Sequence, residues 1–167
     1  MLIGTIKFAK NYEIKVNDTT IHHQYFLPTK PHDVIHYYYK KQGTKYYLSE
    51  RPFVEIPSTS SLLIIKIKNW ISCNDTVARQ ILTFNFETLC IMAENGDIAS
   101  LTDIISSANC NKLLSAWHKE YNLRPLYLLG LTNKDIKHAK SNLNMTCREL
   151  YEQCLSNPFI VYNISNK

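Results

Sequence analysis

The hydrophobic pattern of this 167-residue chain changes period near residue 72, and that change most constrains the fold. Before it, apolar and charged residues alternate two by two, as in Ile6-Lys7-Phe8 and Tyr12-Glu13-Ile14-Lys15-Val16. Such alternation places one set of side chains on each face of a strand. After it, apolar residues recur at helical spacing behind residues suited to helix caps. Leu113, Leu114 and Trp117 form one such stripe in Asn111–Tyr121, and Val77, Ile81 and Phe84 form another. The expected fold is α+β: a small β-barrel over residues 1–72, then a bundle of short helices with helix-hairpin-helix character over residues 73–167.

Six strands are predicted in the first part. They cover Ile6–Phe8, Tyr12–Val16, Thr20–Leu27, Val34–Lys40, Thr44–Leu48 and Leu63–Lys68. Reversals are expected around Asn11 and Gln42-Gly43. Six short strands in about 70 residues suggest a closed or half-closed barrel, with an OB-like barrel the leading candidate. In the second part, Asn74 or Asp75 should cap a helix, and Pro125 should open another. Ser100-x-x-Asp103, Thr132-x-x-Asp135 and Thr146-x-x-Glu149 have the spacing of capping boxes. Six short helices are expected, with Pro158 ending the last.

Charge divides at the same place. Residues 1–72 hold ten Lys/Arg against five Asp/Glu and seven of the eleven tyrosines, whereas residues 73–167 hold nine of each charge. The first part is therefore the expected face for a polyanion. Lys7, Lys15, Lys66 and Lys68 fall on outward strand positions and could form one basic surface. Tyr37, Tyr39, Lys40 and Lys41 add aromatic rings beside cations, the combination with which single-strand binders stack bases and follow phosphates. Alternation requires at least one ring of Tyr37-Tyr38-Tyr39 to point inward.

Catalytic machinery is not expected. None of Gly4, Gly43, Gly96 and Gly130 begins a phosphate-binding Gly-x4-Gly-Lys-Ser/Thr loop, so the chain alone should not hydrolyse ATP. His22, His23, His32 and His36 lie close together, but no cysteine pair accompanies them, and they read as ordinary surface side chains rather than a metal site. Cys110 and His118 are two helical turns apart, too far for nucleophile activation. Scattered acidic residues such as Asp75 and Asp103 suit helix N-termini better than a metal-dependent nuclease. No cofactor is expected. Five cysteines without paired spacing point to a reducing intracellular compartment, with Cys147 and Cys154 packed in a core. The longest apolar run, Leu62–Ile65, is far too short for a membrane span, and the N-terminus lacks the form of a signal peptide. Ile (18), Lys (15) and Asn (15) have AT-rich codons, which suggests an AT-rich source such as a large DNA virus, a phage or a microbe.

Leu126–Val161 reads as helix, a Leu129-Gly130-Leu131 turn, helix, link and helix, with Asn157-Pro158-Phe159 as the stop. Gly130 and Thr132, followed by Lys134 and Lys137, could hold phosphate at the helix start, although a purely structural hairpin fits as well. This stretch resembles the N-terminal, non-motor region of RecD-like superfamily-1 DNA helicases, where Leu-Gly-Leu-Ser/Thr is followed by Asn-Pro-Tyr/Phe. Ala78–Phe84 looks like that family's first helix and Asn111–Tyr121 like a later one. The resemblance implies a β-barrel-like unit, tandem helical hairpins and a motor after the Asn-Pro segment. Two departures stand out: the first hairpin lacks Gly-Ile-Gly, and no motor sequence follows. The expected role is an accessory module that positions single-stranded DNA for a motor in cis or for a replication or repair partner in trans. The alternative is a protein-docking scaffold without DNA contact.

Overall fold

The computed structural model describes residues 1–157, 159, 160 and 164. The expected stop at Pro158 lies outside them. The fold is α+β: a curled, half-barrel sheet of seven strands followed by helices.

Strands β1 (Leu2–Lys10), β2 (Glu13–Val16) and β3 (Thr19–His22) form an antiparallel meander that turns, as expected, just after Lys10. Strand β4 (Val34–Tyr37) pairs with the first half of β1, and β5 (Tyr39–Gln42) pairs with β6 (Lys45–Leu48). Strand β6 lies parallel to β3, and β7 (Phe53–Glu55) closes the other edge on β4. The order is β5-β6-β3-β2-β1-β4-β7. Only Tyr38 separates β4 from β5, although they stand far apart in that order. The sheet must therefore curl until its two ends approach. A register shift between Ile6 and Phe8 lets β1 serve both halves of the curl. Gly4 sits where the wall is tightest, because a Cβ there would lie 2.3 Å from Val16 Cγ1.

The inward residues Ile6, Ile14, Val16, Ile21, Ile35, Tyr37 and Val54 form the sheet core, and Leu128 from the helical part packs into it. Two predicted strands are corrected. The chain leaves the sheet after His22 rather than at Leu27. Leu63–Lys68 is not a strand but lies within helix α1 (Ser60–Ile71). The run Leu62–Ile65, with Ile67, satisfies strand propensity, yet Leu63, Ile64, Ile67 and Ile71 share one helical face and are buried together. Tertiary packing overrides the β-branched preference, and Ile65 faces outward.

Among the described residues six further α-helices follow: α2 (Asp75–Ile81), α3 (Phe86–Asn95), α4 (Ser107–Trp117), α5 (Arg124–Leu128), α6 (Asn133–Asn142) and α7 (Cys147–Ser156). Asn74 caps α2, and Thr132 and Thr146 form the predicted boxes with Asp135 and Glu149. The box at Ser100 and Asp103 does not form. Residues Ala99–Leu101 make a 3-10 turn, and Ser106 caps α4 instead, accepting from the Asn109 amide. Helices α1 to α4 share one core, built around Trp117. Helices α5 to α7 share another, which holds Cys147 and Cys154 as expected.

Between α4 and α5 the helix widens into a π-helix over His118–Leu123, an uncommon geometry that re-aims side chains. It turns Glu120, Tyr121 and Asn122 away from solvent. Arg124 donates two bonds to Asp33, at 2.6 and 3.0 Å, and one to Glu120 at 2.8 Å. It also donates to the Pro28 carbonyl at 3.2 Å. Lys66 of α1 donates to Glu120 at 2.8 Å, and Lys30 joins the same carboxylate. Burial pushes the Glu120 carboxyl upward, but hydrogen bonds from Lys30 and Lys66 and the charge of Arg124 outweigh it and hold the group at about 2.

Arg124→Ala leaves two buried carboxylates short of their partner, so urea unfolding should show a loss of about 3–5 kcal/mol. Glu120 is ionised in the fold well below its ordinary value of 4.5, so its contribution is complete above that pH. It is lost as pH falls from 4.5 towards 2, by roughly 3 kcal/mol in all. Acid unfolding of Glu120→Gln should show a flatter dependence across that window.

Candidate nucleic-acid interface

The lysines expected to form one basic surface are divided between two structures. Lys7 and Lys15 are exposed on β1 and β2, with Lys7 3.1 Å from Asp18. Lys66 and Lys68 are on α1 rather than on a strand, and both are paired, with Glu120 and Asp75 respectively. Lys66 also lies 4.8 Å from the centre of the Tyr121 ring. These two side chains brace α1 against its neighbours.

The tyrosine run is broken at Tyr38, between β4 and β5. Tyr37 is only 8% exposed and fills the half-barrel, as at least one of the three was expected to, whereas Tyr38 and Tyr39 are 47% and 41% exposed. The Tyr37 and Tyr39 rings stack at 6.1 Å, and Tyr39 meets Tyr46 edge-on at 5.2 Å. Strand β5 is exposed along its length, so Lys40 and Lys41 project into solvent. Lys41 lies 5.8 Å from the Tyr46 ring centre. The β5–β6 hairpin thus presents cations and rings together, and Gly43 makes its turn with φ of +60°.

The α5–α6 hairpin has a different part. Gly130 has φ of +99°, and a Cβ there would come within 3.3 Å of the Arg51 guanidinium. Arg51 donates to the Leu128 carbonyl at 3.2 Å and to the Phe26 carbonyl at 3.3 Å, so it ties the hairpin to the loop after β3. The Thr132 hydroxyl and amide are both engaged by Asp135, at 2.6 and 2.7 Å. Two groups that phosphate would need are therefore taken by the capping box. Lys134 and Lys137 remain exposed on α6, and Lys140 is paired with Glu94 at 2.7 Å.

The structure adds a feature the sequence did not single out. Two hollows, of about 400 and 570 Å³, meet at Tyr12 and Gln24. The first is lined by His22, His23, Lys40 and Tyr47, and the second by Lys10, Phe26 and Thr29. Together they form one groove from the β5–β6 hairpin past the β1–β2 turn to the loop after β3. Tyr12 is 64% exposed and Phe26 73% exposed, so two large rings stand open along it. Exposed rings this large, placed in turns and beside cations, are the signal that could have revealed it. Strand-by-strand reading placed Tyr12 and Phe26 inside strands, where alternation hid them.

The histidines are divided in the same way. His22 lies 3.2 Å from Glu13 and against the Tyr47 ring, and His36 lies 2.8 Å from Glu55. His23 is not at the surface as expected but buried, and burial holds its protonation below the ordinary histidine range. Among the described residues no three His, Cys, Asp or Glu side chains cluster as a metal site, and no helix is long and apolar enough to cross a membrane. All five cysteines are free thiols.

Gly130→Ala combines a left-handed backbone with a crowded Cβ, and thermal or urea unfolding should register a loss of about 1–3 kcal/mol. No protein-family model matches this chain, and no curated protein matches it in sequence.

Proposed function

We propose that this chain is an accessory DNA-positioning module of the kind that precedes the motor in RecD-like helicases. In this reading single-stranded DNA runs along the groove between Phe26, Tyr12 and the β5–β6 hairpin. It would be passed to a motor in cis or to a replication or repair partner in trans. The observation that carries the proposal is the joining of exposed rings and cations in one groove on the basic half of the chain. Stacking of a base on an aromatic ring contributes about 1–3 kcal/mol and tolerates any sequence, while lysines follow the backbone.

Connectivity supports the same reading. The β1–β2–β3 meander, the parallel β3–β6 pair and the single run β4–β5 shared between β1 and β6 agree with an OB-like barrel. OB-folds bind oligonucleotides across their second and third strands and adjoining loops, and the lining of this groove includes Glu13 of β2, His22 of β3 and the loops beside them. The α5–α6 hairpin serves as a brace through Arg51, with Lys134 and Lys137 as its free cations. A docking scaffold is the second reading, favoured by exposed Ile3 and Phe53, which flank His36 on the outer face of β1, β4 and β7.

A salt titration of labelled single-stranded DNA tests the proposal. Affinity should fall steeply with salt, and Lys10→Ala with Lys40→Ala, the two lysines that line the groove, should lower the log–log slope by about 1.4. Tyr12→Ala or Phe26→Ala should weaken binding roughly five- to a hundredfold with the slope unchanged. Lys66→Ala and Lys68→Ala should alter stability rather than slope. No binding at low salt would leave the scaffold reading.

A further inference from the structure

We infer that a bound single strand does not stop in the groove but continues across the outer face of the sheet, over Tyr47 and between Lys15 and Lys45. This extends the single-strand reading above and rests on it. The register fixes which side chains share that face. Ile14 pairs with Ile21, and both are buried in the sheet core, so their neighbours on β2 and β3 turn outward. Glu13 lies opposite His22, His22 beside Tyr47, and Tyr47 opposite Lys40, which makes one outer row from four strands. The next outer row holds Lys15 opposite Thr20 and Lys45 opposite Gln42. Continuing the parallel register of β3 and β6 sets Thr20 beside Lys45.

The first row lines the groove where it meets the β5–β6 hairpin. The second begins one step of about 6.6 Å farther along the strands, with its two lysines about 10 Å apart on either side of Thr20. Tyr47 is partly exposed, with His22 packed 5.3 Å from its ring, and so offers a second stacking surface after Tyr12. Lys15, Lys40 and Lys45 are exposed, and among the described residues none is paired with a carboxylate. Asp18, whose charge Lys15 feels, is held by Lys7 at 3.1 Å. Protection of a sheet edge does not account for Lys15 and Lys45, because β2 and β6 each have a strand on both sides. Free ammonium groups on both flanks of the path suit a phosphate chain leaving the rings. A short strand fills the groove alone, whereas a longer one also meets Lys15 and Lys45.

Fluorescence anisotropy with the full chain tests this, using labelled oligothymidylate of about four and about twelve nucleotides, lengths that one OB-like unit can cover. The salt dependence of the longer strand should be steeper by a log–log slope of about 1.4 or more, the equivalent of two further phosphates. Lys15→Ala with Lys45→Ala should lower the slope of the longer strand by about 1.4 and leave that of the shorter unchanged. Lys112→Ala with Lys119→Ala removes the same charge from exposed positions of the helical part and should change neither slope. Each slope is read from one protein's own titration, so partial unfolding of a variant does not imitate the result. Equal wild-type slopes for the two lengths would overturn the extension and leave the groove reading intact. So would an equal loss on the short strand, or an equal loss from the helical pair. Failure of both strands to bind at low salt would overturn the DNA reading itself.

Discussion

The buried ion cluster around Arg124 is the constraint on which the arrangement of sheet and helices depends. Asp33 and the Pro28 carbonyl come from the sheet side, Lys66 from α1, and Glu120 with Arg124 from the widened helix. Buried charges are costly unless each meets its complement, and these do so in one relative placement. The cluster therefore selects how the helices seat on the half-barrel more than it adds to total stability. Glu120 lies within the π-helix and Arg124 just after it, and the two meet as an i,i+4 pair at 2.8 Å.

Two other contacts follow from that seating. Leu128 enters the core of the half-barrel, and Arg51 reaches back to the α5–α6 turn beside Gly130. The hairpin that looked like a grip for phosphate is in this way part of the frame. Its glycine makes room for Arg51, and its threonine serves the helix cap. With the loop after β3 held by Arg51 through the Phe26 carbonyl, the aromatic groove has one fixed wall. The half that carries the excess positive charge is also the half that carries the groove, so rings and cations act on the same solvent face.

Much of the architecture was legible from local pattern. The reversal near Asn11, the turn at Gly43, the caps at Asn74, Thr132 and Thr146 and the opening of α5 at Pro125 are decided within a few residues. Leu63–Lys68 was not legible, because a short run of Leu and Ile fits a strand as well as a helix and only its neighbours choose. Ser100 and Asp103 had the spacing of a box, yet a 3-10 turn took the place of the helix they would have capped. Lys66 and Lys68 had the look of a solvated face and are instead held by carboxylates that lie far away in the chain or on the next helix.

The sequence alone determined the division into a strand-rich first part and a helical second part, the part in which positive charge accumulates, and that at least one of the three consecutive tyrosines points inward. Those properties depend on period, composition and short-range hydrogen bonds, all contained in neighbouring residues. Tertiary structure decided which lysines remain free, that Tyr12, Phe26 and His23 share one groove, and that Gly130 faces Arg51. Each of these joins residues distant in the chain, and their meeting depends on the curl of the sheet and on the burial of Arg124. Long-range contacts of this kind leave no periodicity behind, so only the folded chain reveals them.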